Sequence, residues 1–230
     1  MFAYAGASRR EVEALYQALK NSSACDPTAK VALTDCDGWH KDGWGYVIRT
    51  ANELFHYRTQ RPLSEDTHTF PAFEGNILAI FHARLSSGPL GDAAFSHPFV
   101  GANQESIFYF AHNGGLKGPA KENPDKVDSE WAFEQIVAKN GMTPVLQELK
   151  DNTRSALNLL LLTITRKTRK ASLEYLNFYT TFGDAEKDGY YRMYQATMPE
   201  GGKAVFSSTL RDHLDVTPQP VPYGEVEMLG

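Results

Sequence analysis

An α+β fold with two packed antiparallel sheets is what this 230-residue sequence predicts, and three observations lead there. Strand-length apolar runs follow one another in hairpin order, which is antiparallel order. Helical periodicity is confined to a few segments interspersed among the strands. Several neighbouring runs are too apolar to leave one face in water, so two sheets must cover each other. With 42% hydrophobic and 22% charged residues, and no Pro/Gly/Ser-rich linker or like-charge block, the chain reads as one domain over residues 1–230.

The elements follow in order. Residues 2–5 form a short buried strand. Ser8-Arg9-Arg10-Glu11 is a capping box opening a helix in which Val12, Leu15, Tyr16 and Leu19 recur at helical spacing. Residues 21–39 read as a polar loop holding Cys25 and Cys36. Residues 43–49 and 53–58 are two strands joined at Thr50-Ala51-Asn52, and 76–85 and 107–112 are strongly apolar strands with a loop, 86–99, between them. A helix is expected over 129–140, with Asp128 as its N-cap and Gly141 as its stop. Thr143-Pro144 opens a short helix over 145–150. Strands are then expected at 156–165, 171–178, 190–197, 203–207 and 225–229.

Charge and composition exclude several functions. A net charge of −5 and a pI near 5.8 argue against a nucleic-acid partner, which needs clustered cations. The one dense basic cluster, Arg166-Lys167-Thr168-Arg169-Lys170, reads as a solvated hairpin turn. Two cysteines make no disulfide framework, and a reducing cytoplasm fits them. The longest apolar run, 156–165, contains Asn158 and is too short to span a bilayer, so no membrane association is expected. Residues 1–6 are apolar, but Arg9 and Arg10 follow them, which is the wrong order for a secretory signal.

Four segments carry chemistry. Residues 107–115 end an apolar run in Asn113-Gly114-Gly115, where the Asn113 amide and the Gly114 N–H can point at one oxygen, as an oxyanion hole requires. The same residues are also the commonest signal for a tight hairpin turn. Arg84 stands where an apolar strand meets a loop, placed either to grip a carboxylate or to form a structural ion pair. His97, before Pro98, suits loop packing, and Asp128 suits a helix cap. The glycines of His40-Lys41-Asp42-Gly43-Trp44-Gly45 are explained by close backbone packing at a strand entrance.

In this order the segments HKDGWG (40–45), FHARLSSG (81–88), SHPF (96–99), FAHNGG (110–115) and DSE (128–130) resemble the class II glutamine amidotransferases, above all their small stand-alone members. FSSTL (206–210) and PVPYGEVEML (220–229) resemble that group's closing strands. The resemblance implies an N-terminal-nucleophile hydrolase fold, a four-layer αββα sandwich with two antiparallel sheets between helical layers. It implies that Arg84 binds the α-carboxylate of glutamine or a γ-glutamyl group, that Asp128 holds the α-ammonium, and that Ser87 assists near the carboxylate. Asn113 and Gly114 would form the oxyanion hole, and His97 would order the adjacent loop.

The family's nucleophile is an N-terminal cysteine, whereas this chain opens Met1-Phe2-Ala3-Tyr4, where the resemblance places the strand that follows such a cysteine. A native product with a short extension ending Cys-Arg is therefore one expectation. Without it, the chain is expected to be inactive. Three functions remain in view. One is a hydrolase of γ-glutamyl compounds or a glutaminase subunit, the latter requiring a separate synthase partner. The second is a glutamyl-binding relic or scaffold subunit without turnover. The third is a metallohydrolase using some of His40, Asp42, His56, His82, His97 and His112, against which no HExxH-like spacing stands. No metal and no cofactor is expected, and the chain is compatible with a homo-oligomer.

Overall fold

The computed structural model describes residues 1–33, 36–86, 91–118, 125–181 and 183–230. Strands β1 (Phe2–Gly6), β2 (Trp44–Arg49), β3 (Leu54–Thr59), β4 (Ile77–Ala83), β9 (Met193–Thr197), β10 (Lys203–Ser207) and β11 (Gln219–Pro220) form a seven-stranded sheet in the order β11-β9-β10-β1-β4-β2-β3. Strands β5 (Phe99–Ala102), β6 (Ser106–Leu116), β7 (Thr153–Thr165), β8 (Ala171–Leu176) and β12 (Val226–Met228) form a second, in the order β12-β8-β7-β6-β5. Neighbouring strands in both are antiparallel, as expected.

Strand alternation decides which layer each side chain joins. In β1, Phe2 and Tyr4 face helix α1 (Arg9–Ala24) and pack with Val12, Leu15, Leu19 and Phe81. Met1 and Ala3 face the other way, where Val47, Ile80 and Val205 meet Tyr109, Ala111, Leu160 and Leu162 of the second sheet. The outer face of that sheet, Phe108, Phe110, Leu159 and Leu161, is covered by Ala132, Phe133 and Ile136 of α3 (Asp128–Ala138) and by Leu149 of α4 (Leu146–Asp151). The layers therefore run helix, sheet, sheet, helix.

The start of α1 departs from a simple capping box. Ser8 Oγ accepts the Glu11 N–H at 3.2 Å, but the Glu11 carboxylate does not return to the Ser8 N–H. That N–H donates to Tyr4 Oη at 3.1 Å, and Tyr4 in turn donates to Glu11 Oε2 at 2.7 Å. Glu11 also accepts the N–H groups of Glu200 and Gly202. A buried carboxylate thus ties the helix start to β1 and to the loop before β10.

Several expected boundaries need correction. The 21–39 loop contains a helix, α2 (Pro27–Ala32), capped by Asp26, whose carboxylate accepts the Ala29 N–H at 2.9 Å. The 190–197 segment starts as a helix, α5 (Ala185–Tyr191), before β9; Asp184 caps it. Strands β5 and β11 lie where no strand was expected. Asp128 is the first helical residue, not the cap: Val127 holds the cap position, its N–H donating to Glu130 at 2.9 Å. Asn113-Gly114-Gly115 is not a hairpin turn either, because β6 continues through it to Leu116, with an irregular register between Gly114 and Leu116. The 166–170 turn and the turn at residues 50–52 lie where expected.

Candidate functional site

Strand parity carries Met1, His82 and Asn113 towards the space between the sheets, at the end of the sandwich where β1 begins and β4 stops. These three residues line a cavity of about 120 Å³, room for several water molecules. Gly114 completes the β6 wall. Its φ of +144° and the 1.9 Å that would separate an added Cβ from the Ala156 carbonyl oxygen leave only glycine acceptable there. Ala83 and Leu85 flank the cavity from β4 and its exit, Arg154 and Ser155 from the start of β7, and Ser207 and Thr209 from the end of β10. Tyr190 and Tyr191 close it from α5. Their position is fixed by a buried amide relay in which Asn158 and Asn177 Nδ2 both donate to the Tyr191 carbonyl, at 2.7 and 3.0 Å.

Arg84 lies between two cavity residues but bonds elsewhere. Its guanidinium donates to the Asp42 carbonyl at 3.4 Å and to Ser86 Oγ at 3.0 Å, and the Ser86 N–H donates to the Asp42 carboxylate at 2.8 Å. Burial lowers the Arg84 pKa, while the charges of Asp42 and Asp128 oppose that shift. Asp128 reaches β6, accepting the Leu116 N–H at 2.8 Å, two residues beyond Gly114. Arg84, just past the end of β4, and Asp128, bonded to β6, thus lie near the Asn113-Gly114 stretch, and neither lines the cavity itself. Ser87 lies outside the described residues.

His97 is placed in packing and not at the cavity wall. It is buried, its ring centroid 4.5 Å from that of His82 and 4.4 Å from that of Phe99, and its loop packs on the entrance of β2. A Cβ on Gly45 would stand 2.6 Å from the His97 carbonyl oxygen, which bears out close packing as the reason for the glycines of residues 40–45. His112 is also structural: Nε2–H donates to the Ala156 carbonyl at 3.2 Å, leaving Nδ1 to accept from Ser129 Oγ at 2.8 Å. His82 donates from Nε2 to the His112 carbonyl at 3.1 Å.

Burial lowers the pKa of all three imidazoles. For His82 and His97 neighbouring positive groups add to the shift, whereas for His112 Asp128 opposes it. The native state therefore keeps them neutral where the unfolded chain, with pKa near 6.5, takes up protons. Stability is complete above pH ~6.5 and falls as pH drops below it, with a slope approaching about 4 kcal/mol per pH unit if all three stay neutral. Urea midpoints at pH 7.5, 6.5 and 5.5 read this directly; a flat profile over that range would contradict it.

Sequence reasoning overlooked some of the wall. His40 donates from Nε2 to Asp26 Oδ2 at 3.2 Å, and Asp26 also accepts the Thr28 hydroxyl at 2.6 Å. Burial pushes the Asp26 pKa up, but these bonds and the Ala29 N–H outweigh it, for a net lowering. The Asp26-Pro27 helix start was the legible signal for this support. At the Met1 amine, which donates to Ser207 Oγ at 2.9 Å, burial lowers the pKa from 8.0 to about 5 against an opposing pull from Asp26.

Fold and site together define an α+β protein of two facing antiparallel sheets flanked by helices, with a polar cavity where the inter-sheet layer opens. No family model and no curated protein sequence matches the chain. Among solved structures, it is similar to a predicted glutamine amidotransferase from Pseudomonas aeruginosa PA01, with 17% identity over 85% of this chain and 87% of that one and a TM-score of 0.48. No helix among the described residues is long and apolar enough to cross a membrane.

Proposed function

We propose that this chain is a class II glutamine amidotransferase-like protein, whose site holds the γ-amide of glutamine or of a γ-glutamyl compound. The observation that carries the reading is Asn113-Gly114 on an irregular strand at a cavity wall, with Asp128 bonded to the Leu116 N–H two residues on and Arg84 within electrostatic reach of Asp128. Arg84 takes the α-carboxylate, Asp128 the α-ammonium, and Asn113 with the Gly114 N–H the carbonyl oxygen. An oxygen that gains charge in the transition state is stabilised most by donors held in place beforehand. His97 acts at one remove, by packing the loop against β2.

Calorimetry tests the binding half. Glutamine or glutamate is expected to bind, and Arg84→Ala to weaken binding by about 2–5 kcal/mol, the usual cost of removing one partner of a desolvated charge pair. Unchanged affinity in that variant would remove Arg84 from the site. Ammonia release from glutamine and γ-glutamyl peptides, by a version carrying Cys-Arg ahead of Met1, tests the catalytic half. Among the described residues no cysteine lines the cavity, which favours a second reading, glutamyl binding without turnover, for the chain beginning at Met1. Binding without release in both versions would decide for it.

A further inference from the structure

The two sides of the Asn113-Gly114 wall carry different charge. On one, the Arg84 guanidinium is faced by the carboxylates of Asp42 and Asp128, a cation with counter-charges. On the other, Arg154 lines the cavity from the first residues of β7, and among the described residues no carboxylate forms an ion pair with it. Its guanidinium lies against the backbone of Gly115, where an added Cβ would come within 2.8 Å of Nη2 and 3.3 Å of Nε. Ser155 stands next to it, also in the wall, and offers a hydroxyl.

A zwitterionic amino-acid end suits the first side, and a lone anion suits the second. Glutamine has nothing to offer there, because the group beyond its carbonyl is only –NH2. A cavity of about 120 Å³, with a cation that no carboxylate among the described residues pairs, is more than ammonia needs. We propose that Arg154 makes the cavity selective for γ-glutamyl compounds whose amide-linked portion carries a carboxylate, as in a γ-glutamyl amino acid. This rests on the glutamyl-amide reading of the site and narrows it to a substrate class. The guanidinium reads the terminal carboxylate of the amide-linked residue while Arg84 and Asp128 hold the glutamyl end.

Calorimetry on the full chain with γ-glutamylglycine, its neutral analogue γ-glutamylglycinamide, and glutamine tests it. The carboxylate form is expected to bind about fivefold tighter than the amide at low salt, the scale of a partly exposed ion pair. That preference fades towards about 0.5 M salt as screening grows. Arg154→Gln, at an exposed position that folding tolerates, erases the preference and leaves glutamine affinity within about twofold. Equal affinities in the unsubstituted protein, or a preference that survives Arg154→Gln, overturn the assignment. If glutamine binds and Arg84→Ala abolishes it while no carboxylate preference exists, this inference alone falls. If none of the three ligands binds, it falls together with the glutamyl-amide reading.

Discussion

Gly114→Ala is expected to cost about 3 kcal/mol or more of stability and to abolish the proposed glutamyl binding. Two penalties coincide. A φ of +144° is a conformation that L side chains rarely adopt, and such backbone strain costs of order 1–3 kcal/mol by itself. The new methyl group would also stand 1.9 Å from the Ala156 carbonyl oxygen and 2.5 Å from its carbon, so the backbone of β7 must move. That carbonyl accepts the His112 Nε2–H, and the residues just before it, Arg154 and Ser155, line the cavity from the strand next to Asn113. A shift there disturbs fold and site at once. For a chain of this size, 3 kcal/mol corresponds to a fall in Tm of about 6–12 °C. Gly115→Ala is the control, because its closest contact is the far end of the Arg154 side chain, which can swing aside. A Gly114→Ala protein as stable as the Gly115→Ala protein would refute the account of the irregular strand.

Glu11→Ala is expected to destabilise by roughly 3–5 kcal/mol, because it strands two buried donors and a part-buried one at once. The Tyr4 hydroxyl and the N–H groups of Glu200 and Gly202 all donate to this carboxylate, which is only 3% exposed. Tyr4 stands in the central strand of its sheet, and burial together with Glu11 raises its pKa, so it remains a neutral donor in need of an acceptor. Glu11→Gln keeps one acceptor oxygen and should cost less than half as much. Urea unfolding of the two variants distinguishes a specific acceptor from mere packing. Equal losses in both would mean that shape and not hydrogen bonding sets the cost. The change lies on the opposite face of β1 from the cavity, so ligand affinity in the surviving folded protein should hold.

What was legible in the sequence is what neighbours along the chain decide. Strand-length apolar runs placed β1, β2, β3, β7 and β10, and Ser8 with Glu11 marked the start of α1 because a cap is satisfied within three residues. The candidate residues were legible as types: an Asn-Gly pair, an arginine at a strand end, an aspartate at a helix start. The elements that were missed, α2, α5, β5 and β11, are short: α2 carried a local signal in Asp26-Pro27, whereas β5 and β11 exist by pairing with β6 and β9. Helix α5 is held by the Asn158–Asn177 relay, whose members lie far from Tyr191 in sequence.

The sequence by itself determined the α+β class, the antiparallel hairpin order and the side-chain types of the groups proposed to meet a glutamyl amide, because periodicity, caps and side-chain chemistry are local properties. Only the tertiary structure decided that Asn113-Gly114 is an irregular stretch within β6, that Asp128 docks on the Leu116 N–H, and that Arg154 meets the cavity without an ion-pair partner among the described residues. Each of these depends on a partner brought alongside from a distant part of the chain, Ala156 against Gly114 above all. Which backbone approaches which, and how closely, is fixed by the packing of two sheets and is carried by no single segment.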